Sequence, residues 1–130
     1  MHEACGFVLS RAGELEVVPI PNVADRYHLA DPREFPRSSR EGYVMDPRAL
    51  LHLHQEAERS GGRIVAAWHS HVEAAASFSD LDRSDAVVDG RPVLPGVEYI
   101  VAGMRSGRVT ELRRFRFAGG GFDAGERLCG

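Results

Sequence analysis

The sequence predicts one α/β (α+β) domain, a β-sheet flanked by helices, and three observations carry that reading. The 130 residues are 43% hydrophobic and 27% charged, which suits a single soluble domain with one self-sufficient core. Short stretches with strand patterning recur along the chain, and two segments with helix start signals fall among them. No internal repeat and no break in composition divides the sequence.

Residues 5–9 and 14–20 read as the two strands of an opening hairpin, turned at Gly13 in "SRAGE". From 22 to 41, "NVADRYHLADPREFPRSSRE" mixes prolines and charges with few periodic apolar positions, so a long irregular loop is expected. "YVMDPRALLHLHQEAERSGG" follows as a brief strand and a helix. Asp46 is its N-cap, Pro47 its first helical residue and Gly61 its stop. "RIVAAWHSH" is apolar on both faces, as a central strand covered by helices would be. "SDLDRSDAVV" opens a second helix, and "GRPVLPG" is a turn-rich linker. "VEYIVAGM" and "RVTELRRFRF" are two further strands around "RSG". The domain is expected to span 1–118, and 119–130, "GGGFDAGERLCG", to form a loose C-terminal tail.

Composition narrows the function classes. A formal charge of −3 and a pI near 6.1 give no general attraction to nucleic acid. No apolar stretch is long enough to span a bilayer, and "MHEACGFVLS" lacks the pattern of a secretory signal, so a cytoplasmic protein is expected. The two cysteines, Cys5 and Cys129, have neither metal-binding nor disulfide spacing.

The chemistry concentrates in "WHSHVEAAASFSDLD". Side chains alternate along a strand, so His69 and His71 project to one side and Ser70 to the other. Two neutral imidazoles on one side can share an ion. A catalytic zinc site takes three protein ligands and leaves one position open, and Asp82 is the nearest candidate for the third. If "SDLD" opens a helix packed near the strand end, Asp82 can point back toward the histidines. Ser79 at the N-cap is then placed to hydrogen-bond an oxyanion. A proton carrier outside the ligand set is also required. Locally only Glu73 is offered.

Together, Glu3 in "EACGFVL", His69 and His71 in "HSH", and Ser79 and Asp82 in "SDLD", seven residues on, resemble the JAMM (MPN-plus) zinc peptidases of the small bacterial type. The resemblance spans nearly the whole chain. It implies a curved mixed sheet flanked by helices and one Zn²⁺ per chain on His69, His71 and Asp82. It also implies Glu3 as general acid/base, and Ser79 helping to hold the oxyanion. Two features depart from the family pattern. Val72 stands where the family usually has proline, and the sequence starts two residues before Glu3 where relatives usually carry a helix. The resemblance further implies a peptidase or isopeptidase acting at the C-terminal tail of a small β-grasp ubiquitin-like or sulfur-carrier protein.

Each feature taken alone has a plainer reading. Ser79-x-x-Asp82 is a capping box, a strand histidine pair can simply be packed, and Glu3 could be a solvated terminal carboxylate. Their conjunction favours the enzyme. His52 and His54 repeat the spacing on a helix, where i, i+2 side chains diverge, and read as structural. His2 and His28 read as surface residues, and Cys5 as core. Arg113, Arg114 and Arg116 in "LRRFRF" read as the solvated side of a strand. The competing class is a non-catalytic MPN-type binding or scaffold domain. A zinc deaminase would need a Cys-x-x-Cys pair, and a zincin an HExxH helix; the sequence has neither.

Overall fold

A computed structural model describes residues 1–129. The opening hairpin is β1 (Cys5–Arg11) and β2 (Glu14–Ile20), turned through Ala12 and Gly13 at φ 52° and 81°, the mirror-image geometry that two-residue hairpins favour. A short helix α1 (Ala24–Ala30) follows, inside the stretch expected to be irregular. Asn22 explains its start: the side-chain carbonyl accepts the Ala24 N–H at 3.0 Å and the Val44 N–H at 3.0 Å, so one amide begins the helix and ties down the far end of the loop. Of the brief strand expected at "YVM", only a bridge between Met45 and Asn22 forms.

Helix α2 (Pro47–Ser60) has the expected ends. Asp46 accepts the Arg48 N–H at 3.1 Å, and Gly61 closes the helix at φ 72°. It leads into β3 (Arg63–Val72). The second helix, α3 (Asp80–Asp85), is only six residues long, and the chain then turns through β4 (Val87–Val88) and β5 (Arg91–Pro92). The closing strands are β6 (Glu98–Arg105) and β7 (Arg108–Phe115), followed by a small ribbon of β8 (Phe117–Ala118) and β9 (Gly121–Phe122).

The tail corrects the expectation of loose chain. Residues Glu126–Cys129 form β10, an edge strand on β7 in a six-stranded sheet ordered β10-β7-β6-β3-β1-β2. Its side chains are exposed and show no alternation. What holds it is main-chain pairing with β7 plus contacts of Glu126 with Arg114 and of Arg127 with Glu111, the latter at 3.4 Å.

Strands β3 and β6 are parallel and every other neighbouring pair in the sheet is antiparallel, so β3 is central, as its two-sided apolar pattern predicts. Register sets the faces. His69 pairs with Cys5 on β1 and Val101 on β6, and Phe7 with Ala67, so the histidines share a face with the core. On that face Phe7, Leu9, Val101 and Phe115 meet Leu53 and Ala57 of α2 and Phe78 beyond β3. Each such buried large side chain contributes about 1.5–3 kcal/mol, which fixes the platform on which the polar cluster stands. Among the described residues no helix is long and apolar enough to cross a membrane.

Candidate metal centre

His69 and His71 leave the end of β3 on the same side, with their Nε2 atoms 3.2 Å apart. His69 is 1% exposed and stacked on the Tyr43 ring at 4.6 Å between centroids. His71 donates its Nδ1–H to the Ala75 carbonyl at 2.9 Å, which leaves the Nε2 lone pair turned toward His69. Asp82 Oδ2 lies 3.2 Å from His69 Nε2 and 3.6 Å from His71 Nε2. A reciprocal capping box orients that carboxylate: Ser79 N–H donates to Asp82 Oδ2 at 3.0 Å, and Asp82 N–H donates to Ser79 Oγ at 3.1 Å. Cap and site are one structure.

Glu3 closes the cluster from the other side. Donor atoms of Glu3, His69 and His71 lie within 4.8 Å of one another, a set that could hold a metal ion. Two triads thus share the histidine pair, one completed by Asp82 and one by Glu3. The separations of 3.2, 3.2 and 3.6 Å among the histidine and Asp82 donors approach the edge of about 3.3 Å in a tetrahedron of zinc bonds near 2.0 Å. Two imidazole lone pairs at that distance repel unless a cation or a proton lies between them. The residues fit a metal.

The electrostatics agree. Without an ion His71 is more basic than usual, chiefly because Asp82 hydrogen-bonds it, against the opposing effect of burial. Burial would raise Asp82, but hydrogen bonds with His69 and His71 outweigh it and hold the carboxyl well below its usual range. Burial pushes Glu3 up to about 7; His71 opposes this, Asp82 adds to it and Arg37 opposes it.

The model of the prokaryotic homologs of the JAB domain matches residues 1–118. The chain belongs to this family. It is also similar to two solution structures. One is of a protein from Desulfitobacterium hafniense, 22% identical with a TM-score of 0.62, covering 96% of this chain and 75% of that one. The other is of a protein from Salinibacter ruber, 21% identical with a TM-score of 0.56, covering 98% of this chain and 77% of that one. At such identity these matches speak to the fold alone. No curated protein matches the chain.

In this JAB domain Glu3 precedes β1 and lies close to the terminus, yet it is 6% exposed and fixed on both sides. Its N–H donates to Ser39 O at 2.6 Å and its carbonyl accepts Asn22 Nδ2 at 2.9 Å. The next residue, Ala4, exchanges bonds with Ser70, N–H to Oγ at 2.8 Å and carbonyl from Ser70 N–H at 2.9 Å. Ser39 is itself held by Asp25 of α1, which accepts its N–H and its hydroxyl, each at 2.7 Å. The unpatterned loop therefore builds the position of Glu3. The rival carboxylate, Glu73, accepts the Ser106 N–H at the β6–β7 turn at 2.6 Å and is committed there.

Composition and spacing gave no sign of three further supports. Tyr43 stacks on His69, and Glu111 accepts the Ala76 N–H at 2.9 Å, fixing the segment that carries the Ala75 carbonyl. Gly103 lets that segment cross the sheet, since a Cβ there would come within 2.9 Å of Ala74 O and Ala76 N. Gly103→Ala should therefore cost about 1–3 kcal/mol and weaken metal affinity, because the backbone holding His71 must move. Thermal melts with and without zinc check this; an unchanged melting temperature would contradict it.

His2 contacts Ser39 beside Glu3, and the remaining three histidines stand apart. His52 and His54 are exposed on α2, and His28 Nδ1 donates to Phe35 O at 2.7 Å. Cys5 is buried core, its thiol donating to Ile20 O at 3.4 Å. Arg113, Arg114 and Arg116 are in ion pairs with Glu111, Glu126 and Glu98.

Proposed function

We propose that this domain is a zinc-dependent peptidase or isopeptidase that hydrolyses a peptide or amide bond at the C-terminal tail of a small ubiquitin-like or sulfur-carrier protein. The single observation that carries the reading is the convergence of His69, His71, Asp82 and Glu3 on one point. His69, His71 and Asp82 would hold the zinc, which when bound supplies a water of lowered pKa and a Lewis acid for the scissile carbonyl. Glu3 takes the proton from the attacking water and returns it to the leaving amine. Ser79 Oγ already accepts the Asp82 N–H, which leaves its own O–H free to donate to the oxyanion. The Ala75 carbonyl, accepting the His71 Nδ1–H, keeps that imidazole aimed inward.

The surroundings of the centre support this substrate class. Between Asp82 and β6 the chain only finishes α3 and makes the β4–β5 turn, with no large insertion to grip a folded partner. Affinity then rests on an extended tail hydrogen-bonded through its main chain. A Gly-Gly tail has no side chains to clash beside the metal.

The test is zinc content by elemental analysis and cleavage read by mass spectrometry. Zinc-loaded protein should carry one ion per chain and cut after the Gly-Gly of a β-grasp carrier bearing an extension. It should leave linked ubiquitin chains largely intact, and a chelator should stop it. His71→Ala should abolish stoichiometric zinc. A metal-free, folded, inactive protein would support the scaffold reading instead.

A further inference from the structure

A cavity of about 460 Å³ lies between the 33–44 loop and α3, a size that suits a small ligand rather than a folded partner. It adjoins the metal centre, because two of its wall residues belong to both. Tyr43 stacks on His69, and Asp82 Oδ2 lies 3.2 Å from His69 Nε2. Phe35, Val44 and Leu81 add apolar wall, and two opposite charges face each other across it, Arg37 from the loop and Asp85 from α3. Among the described residues neither is closed into an ion pair. Arg37 is nonetheless held in place. Its Nη1 donates to Glu41 O at 2.8 Å, and its stem lies over Gly42, where a Cβ would come within 3.2 Å of Arg37 Cδ. One bond to a carbonyl leaves most of the guanidinium fork free to donate.

We propose that this cavity receives the residue that leaves, and that Arg37 holds its free α-carboxylate, so that a single C-terminal residue with an apolar side chain is removed. The inference rests on the peptidase reading of the metal centre. Three observations favour the leaving residue as occupant. The Gly-Gly before the cut has neither side chain nor charge, so it has no use for an apolar cavity with a cation in its wall. The residue after the cut has both. The leaving nitrogen must also lie near Glu3, and Arg37 is the cation that opposes the burial-raised pKa of Glu3, so one short residue can reach both. Its carboxylate lies only two bonds from that nitrogen. Finally, water adds across the amide, the carbonyl carbon gaining the hydroxyl and the nitrogen a hydrogen. The freed amino acid is a zwitterion, and Asp85 opposite Arg37 gives the cavity a charge of each sign to match it.

The experiment separates recognition from hydrolysis. Metal-free protein, titrated by NMR, should bind the tripeptide Gly-Gly-Leu about 10- to 100-fold more tightly than its C-terminal amide, the worth of one charge-assisted contact. Gly-Gly-Glu amide, whose only carboxylate is on its side chain, should bind no better than the Leu amide. Arg37→Gln, checked for folding by circular dichroism, should bring the ratio of acid to amide close to one. In parallel, zinc-loaded wild-type protein should release leucine from a β-grasp carrier ending in Gly-Gly-Leu and act at least about tenfold more slowly on the amidated form, read by mass spectrometry. Equal binding of acid and amide, no binding of the acid at about 10 mM, parity of the Glu amide with the acid, or equal cleavage of both carriers would overturn the proposal. A carboxylate preference in binding that Arg37→Gln removes, with neither carrier cleaved, would uphold the subsite and overturn the peptidase reading instead.

Discussion

Glu3→Gln should leave zinc binding intact and lower turnover by about 10²- to 10⁴-fold, the usual worth of a positioned acid or base. The amide keeps the size of the carboxylate but cannot take the proton of the attacking water. The backbone around it is fixed independently of the side chain, through Ser39 O, Asn22 Nδ2 and the Ala4–Ser70 pair, so the change should stay chemical. Glu73→Gln is the control, because that carboxylate caps Ser106 N–H and should matter little to the rate. The measurement is zinc stoichiometry beside single-turnover hydrolysis. Loss of zinc in Glu3→Gln would move Glu3 into the ligand set, as its place within 4.8 Å of both histidines permits. Full activity in it would refute the role.

Much of this was legible in the sequence, for definite reasons. Strand alternation put His69 and His71 on one side, and Asp46, Pro47 and Gly61 bounded α2, because these signals depend on neighbours along the chain. The pairing of Ser79 with Asp82 is local too. What could not be read depends on distant contacts. Helix α1 has no side-chain cap of its own and leaves Leu29 exposed, so it lacks periodicity; Asn22 and the Asp25–Ser39 bonds hold it in place. Strand β10 exists through ladder bonds and ion pairs with β7, and its exposed side chains carry no pattern. Glu111 and Gly103 matter only because β6 and β7 run beneath the 73–78 segment, a tertiary fact with no local signature.

Asp82 combines two duties, and separating them gives the second large effect. As a cap it accepts the Ser79 N–H at 3.0 Å; as a ligand candidate its Oδ2 sits 3.2 and 3.6 Å from the two imidazole nitrogens. Ser79→Ala removes half of the capping box and should cost about 0.5–2 kcal/mol of stability while leaving the three donors in place. Asp82→Asn keeps the shape and a carbonyl for Ser79 N–H but removes the anion. Zinc affinity should then fall by more than about 100-fold, since even outer-shell partners are worth 10- to 100-fold. A 100-fold rise in Kd removes about 2.7 kcal/mol of zinc-linked stabilisation, so the two variants separate in melts run with and without saturating zinc. Ser79→Ala should melt lower yet keep its full zinc-induced rise, and Asp82→Asn should lose most of that rise. Equal rises in both would take Asp82 out of the ligand set and leave the ion to Glu3, His69 and His71.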